Sequence, residues 1–167
     1  MEFSEMKLQA EMFAAQARPL LVAKGQNAQQ LIVAGMIIGA LAVEVALKAC
    51  IVRNHGFTKP TDLANLLKGK GHDTEYLISL LTGSQKAAIQ AHLDAYVPES
   101  ARQMVRYDGP GWPLSLRART IGEELKNLGK VFEHWRYAYE HNPLIGNPDF
   151  MLVAISATLD ALALDQV

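Results

Sequence analysis

Apolar positions along the chain recur mostly at intervals of three and four, the spacing of one face of an α-helix. Met6, Phe13, Ala17 and Leu20 mark such a face in a first helix expected over 4–24, with Pro19 as a break or kink. A second helix is expected over 27–54. Asn27 is its N-cap, Gln30 completes a capping box, and His55-Gly56 closes it. From Leu31 to Val43 this helix is apolar on every face, which predicts a central buried helix. Gly35 and Gly39 in it leave room for a neighbouring backbone. The apolar run is shorter than the roughly 20 residues needed to cross a bilayer, and Glu44, Lys48 and Arg53 follow it at once.

Beyond Gly56 the pattern breaks. Pro60 starts a short helix through Leu67, which Gly69-Lys70-Gly71 interrupts. That glycine-lysine run lacks the full spacing of a phosphate-binding loop and follows no strand. A helix restarts at Asp73 as N-cap, with Glu75 in its first turn, and ends near Thr82-Gly83. Another is expected over 84–96, a short one over 98–106, and a long loop over 107–119. Thr120 and Glu123 form a second capping box. Behind it Ile121, Leu125, Leu128, Phe132, Trp135 and Tyr139 make one apolar stripe, which Asn142-Pro143 ends. Asn147-Pro148-Asp149 opens a last helix that reaches Leu164. No sustained period-two alternation occurs. These elements predict one all-α domain over 1–167, an up-and-down helical bundle around a long central apolar helix.

Composition narrows the function classes. The 167 residues are 50% hydrophobic and 20% charged, with a formal net charge of −1. Such a balance excludes coating nucleic acid through bulk charge, so any such contact needs a local patch. Arg102, Arg106, Arg117 and Arg119, in and around the long loop, read either as a solvated surface or as a phosphate-binding rim. The single cysteine, Cys50, excludes an intrachain disulfide and a cysteine zinc site, and its apolar neighbours predict a buried, inert thiol. No two of the five histidines stand four apart on a helix, so neither a metal nor a cofactor is expected. The start Met-Glu-Phe-Ser-Glu carries no basic segment leading into an apolar one, so the expected location is the cytoplasm, away from any membrane.

The chemistry concentrates in Phe132-Glu-His-Trp-Arg-Tyr-Ala-Tyr-Glu-His141. Arg136 lies roughly 70° from the centre of the apolar stripe, with Glu133 and Glu140 on the same flank. Three readings are open for it: a structural arginine paired with those acids, a phosphate ligand, or a catalytic group. His141 reads as a helix-end cation or as a proton-transfer group. Residues five apart on a regular helix diverge by roughly 140°. Arg136 and His141 therefore converge only if the helix ends before His141, as Asn142-Pro143 permits. Upstream, Glu44 and Lys48 read as a structural ion pair at a bundle edge, and His72 as part of the cap at Asp73.

Arg136, four residues and His141 resemble the arginine-histidine motif of the HEPN superfamily of small helical nucleotide-binding domains. The stretch Leu41-Ala-Val-Glu44-Val-Ala-Leu-Lys48, with the later Lys70-Gly-His72-Asp73, is similar to the first half of many bacterial members, so the resemblance spans roughly 28–141. It implies a HEPN-like bundle that binds RNA or a nucleotide. It also implies metal-independent endoribonuclease activity in a defence or toxin system, with a homodimer and a cognate antitoxin as partners. Carried over, His141 is the general base or acid and Arg136 the phosphate clamp. Tyr137 stands where active members often have a small polar residue. The run Trp135 to Glu140 instead resembles a subgroup in which arginine and glutamate, here Arg136 and Glu140, are the shared feature. Tyr137 and Glu140 are then substrate-binding candidates. If the long helix and the motif helix point the same way, Arg53 and His55 join them in one basic site. The alternative is a non-catalytic HEPN-like module for protein interaction.

Overall fold

The computed structural model describes residues 2–96, 104–107, 115–117, 125–126, 128 and 144–164. Helix α1 spans Phe3–Leu21 and buries Met6, Ala10, Ala14, Ala17 and Leu21 against its neighbours. The stripe is mostly alanine, which lets α1 lie close on the next helix; the expected Phe13 and Leu20 are only half-buried. Pro19 sits inside α1 and does not break it. It lies in the last turn, and the helix ends two residues later, at Leu21 rather than at residue 24.

Helix α2, Ala28–His55, is 28 residues long, roughly 42 Å at 1.5 Å per residue. Asn27 stands at its N-cap, but its side chain makes no capping bond, so the expected capping box does not form. The C-terminal end is as expected. Gly56 takes the left-handed conformation at φ 63°, and the Phe57 N–H reaches back to the Val52 carbonyl at 3.1 Å. α1, α3 (Pro60–Leu67), α4 (Thr74–Ser79) and the last helix, α6 (Pro148–Ala163), all pack on α2. Burial along it is uneven. Ala42, Val43, Ala46, Leu47 and the run Ala49–Val52 are buried, whereas Leu31 is 40% exposed and Ile32, Val33, Ile37 and Ile38 are half-buried. The buried centre thus lies further along than the 31–43 run. By length and composition α2 is also apolar enough to cross a membrane, contrary to the count made on that shorter run.

The two α2 glycines have different neighbours. A Cβ on Gly35 would meet the Leu21 backbone nitrogen at 2.9 Å, so this glycine does admit a neighbouring backbone. On Gly39 it would meet the Met151 Cγ at 2.7 Å, so here the glycine admits a side chain from α6.

The short helices obey their local signals. α3 spans Pro60–Leu67 with proline in its first turn. α4, Thr74–Ser79, is capped by Asp73, which accepts from the Tyr76 N–H at 3.0 Å. It stops three residues before Thr82, because Thr82 and Gln85 form the capping box of α5, Gly83–Ala95. Asn147 caps α6 by accepting from the Phe150 N–H at 3.2 Å, with Pro148 in the first turn. Its side-chain amide also donates to the Tyr96 hydroxyl at 2.8 Å, and the Tyr96 ring meets Phe150 edge-on.

Three short strands attach to this all-α bundle: β1 (Met104–Tyr107), β2 (Ser115–Arg117) and β3 (Leu144–Gly146). They form an antiparallel sheet in the order β2-β1-β3, with Arg106 opposite Ser115 and Ile145. A strand therefore replaces the end of the short helix expected over 98–106, and another interrupts the expected loop. Segments of three or four residues are too short to show alternation, which is why the pattern misses them. Leu125 and Leu128, the early members of the 121–139 stripe, join the core. The rest of that stripe, from Phe132 to Tyr139, lies outside the described residues.

Candidate functional site

The predicted site residues fall into two groups. Arg136, Tyr137, Glu140 and His141 lie outside the described residues, as do Arg102 and Arg119. The proposed meeting of Arg53 and His55 with the motif therefore lies outside them too. Arg53 and His55 themselves stand in the last turn of α2.

Arg53 spans the interface between helices. Its Nη1 donates to the Leu162 carbonyl at 2.9 Å and its Nη2 approaches the Ala161 carbonyl at 3.5 Å, while the guanidinium carbon sits 5.0 Å from the centre of the Phe3 ring. The last turn of α6 contains no basic residue of its own. Arg53 thus supplies from α2 the cation and the donors that helix-end carbonyls need. His55 is exposed and stacks on Phe57, with ring centres 5.0 Å apart and planes 15° from parallel.

A second group, from α2 and the α3–α4 connection, centres on Glu44. Lys48 Nζ donates to Glu44 Oε1 at 2.6 Å, the i,i+4 pair expected from the spacing. His72 Nδ1 lies 2.8 Å from Glu44 Oε2. A carboxylate only accepts, so the imidazole donates from Nδ1. His72 is therefore a bridge to α2, and the cap belongs to Asp73 alone. Glu44 and Lys48 side chains are 14% and 19% exposed, against 63% for His72, so the pair is sheltered and the bridge is not. Gly71 makes room for the pair, since a Cβ there would stand 3.3 Å from Lys48 Nζ.

Beside this cluster a cavity of about 250 Å³ opens between α1, α2 and the start of α3. Buried Met6 and Val52, with Val45, Phe57 and Leu63, give it apolar walls; Glu44, Lys48, Gln9 and Lys59 give it polar edges. Sequence periodicity does not find this cavity, because it forms where three elements meet. The one local signal is Phe57, a large apolar residue within a polar break, which marks a connection folded back onto the bundle. Cys50, on a different face of α2, is buried; burial pushes its thiol up from 9.0 to about 11, against the lowering effect of the Arg53 charge. Its burial is as expected. Among the described residues no three histidine, cysteine or carboxylate side chains gather as a metal site requires. No family model, curated protein or solved structure matches the chain.

Proposed function

We propose that this chain is a HEPN-like protein that binds RNA or a nucleotide in the cytoplasm, with Arg136 and His141 forming a metal-independent endoribonuclease site in a defence or toxin system. The observation that supports this reading is the meeting of Glu44, Lys48 and His72. The two separate stretches that carry the upstream resemblance, Glu44 to Lys48 and Lys70 to Asp73, share one hydrogen-bonded cluster in the fold. In the proposed reaction His141 takes the proton of a 2′-hydroxyl, whose oxygen attacks the adjacent phosphorus. The bond to the 5′-oxygen breaks, that oxygen receives the proton from the imidazolium, and a 2′,3′-cyclic phosphate remains. Arg136 holds the phosphate and offsets the charge that builds on it. His55, Tyr137 and Glu140 are assigned to substrate contacts. Arg53 is assigned to the same substrate site, and it also holds the α2 and α6 ends together. The test is cleavage of a mixed RNA pool in EDTA by wild type, Arg136→Ala and His141→Ala at matched folding. Cyclic-phosphate ends that both substitutions abolish are the expected result, and equal cleavage by all three proteins would refute it.

A second reading, a non-catalytic interaction module, draws on a different observation. Leu8, Met12, Val22 and Leu31 are 58%, 53%, 58% and 40% exposed, near one end of α2 and along α1. Exposed large apolar side chains suit a protein interface, including a homodimer or a cognate antitoxin. Under this reading His141→Ala keeps assembly intact, and Leu8→Glu with Leu31→Glu abolishes it in size-exclusion chromatography with light scattering.

A further inference from the structure

We propose that the cavity between α1, α2 and α3 binds a small monoanion with a ring-sized apolar body, of the arylalkyl carboxylate class. The volume sets the size. An apolar cavity of about 150 Å³ holds a benzene-sized ring, so 250 Å³ leaves space for a short arm carrying a polar head. The walls set the body. Met6 and Phe57 are side chains that pack well against a flat ring, through thioether–aromatic and aromatic contact. The Phe57 ring is braced by stacking on the near-parallel His55 ring.

The charges set the head. Glu44 is engaged on both oxygens, by Lys48 and by His72, so its negative charge is already offset. Lys59 is exposed at the cavity rim, and among the described residues it forms no ion pair. Its position follows from local structure, because Lys59 is the N-cap residue of α3 and precedes the fixed Pro60. Glu44, Lys48 and Lys59 at the polar edge therefore sum to one positive charge over apolar walls, which matches a single negative charge. A phosphate monoester, with a charge of about −1.5 to −2 at neutral pH, would exceed it. Lys48 donates one N–H to Glu44 and holds two more for the same head.

The test uses the full chain labelled with ¹⁵N and titrated with 3-phenylpropionate. A ligand of this size at ordinary efficiency binds with Kd on the order of 1 mM. Saturable shifts confined to the amides of Val45, Val52, Phe57 and Leu63 are expected. The neutral 3-phenylpropionamide should bind at least fivefold more weakly. Lys59→Gln should narrow the gap between carboxylate and amide and leave binding of the amide itself unchanged. Lys59 is exposed, and thermal unfolding of the variant verifies that its fold is intact. Scattered or absent shifts, or equal binding of acid and amide, would overturn the proposal. Tighter binding of phenyl phosphate would overturn the single-charge assignment, and tighter binding of octanoate the ring.

Discussion

Both halves of α2 are rich in apolar residues, but their surroundings differ. Ala42, Val43, Ala46, Leu47 and Ala49–Val52 are buried among α1, α4 and α6, while Leu31, Ile32, Val33, Ile37 and Ile38 keep part of their surface open. The difference lies in side-chain size as much as in hydrophobicity. Ala42, Ala46 and Ala49 let neighbouring helices approach the second half closely. The first half carries Leu31, Ile32, Val33, Ile37 and Ile38, and its close approaches include Gly35 to Leu21 and Gly39 to Met151. An apolar stretch therefore marks what must be covered somewhere; the small residues within it mark where the chain covers itself.

Truncation tests this contrast most directly. Leu47→Ala empties a fully buried site and should cost about 3 kcal/mol of unfolding free energy. Leu31→Ala should change it by no more than about 0.5 kcal/mol, because that side chain keeps 40% of its surface in water. Urea unfolding of both variants checks the pair. Equal losses would mean that Leu31 is covered in solution, which would favour the interaction-module reading.

Legibility in the sequence follows the range of the interaction. Caps act over three residues, and Asp73, Asn147 and Gly56 do in the structure what their spacing predicts. Thr82 and Gln85 carry the same signal, and the boundary expected near Thr82-Gly83 coincides with the start of α5. The strands were not legible, since β pairing between Val105 and Gly146 depends on contacts forty residues apart in a segment only four residues long. Nor was the role of Arg53. Its basic neighbour His55 suggests a site, but the partners that hold it are carbonyls 108 and 109 residues away. The ion pair of Glu44 with Lys48 was readable from its i,i+4 spacing, whereas the third partner, His72, required the fold. The Arg136–His141 motif is readable only as sequence, because it lies outside the described residues.

Arg53 sharpens the comparison at the buried end of α2. If its work is to cap α6, Arg53→Met should lower stability by about 2 kcal/mol, the scale of lost charged hydrogen bonds. Hydrogen exchange should then quicken most in the last turn of α6, around Ala161 and Leu162. Unchanged stability and exchange would return Arg53 to the substrate-binding role alone.

The smallest effect comes from Cys50, one turn before Arg53 on the buried half. Its folded pKa is about 11 against an ordinary 9.0, because the buried thiolate lacks solvation and the Arg53 charge only partly compensates. Below pH 9 the thiol is protonated in both the folded and unfolded chains, and the stability it contributes is fully present. Between about 9 and 11 the unfolded chain releases the proton while the folded chain retains it. The folded state then binds more protons, so stability falls as pH rises, and the loss is complete once pH passes the folded value. Cys50→Ala should remove that part of the decline. Measured at pH 8 and pH 10.5, the unfolding free energy of the alanine variant should fall less than that of wild type, since the other alkaline groups titrate in both. Matching declines would mean that the thiol is solvated on the same footing in both states, and that the second half of α2 is less tightly covered than its packing shows.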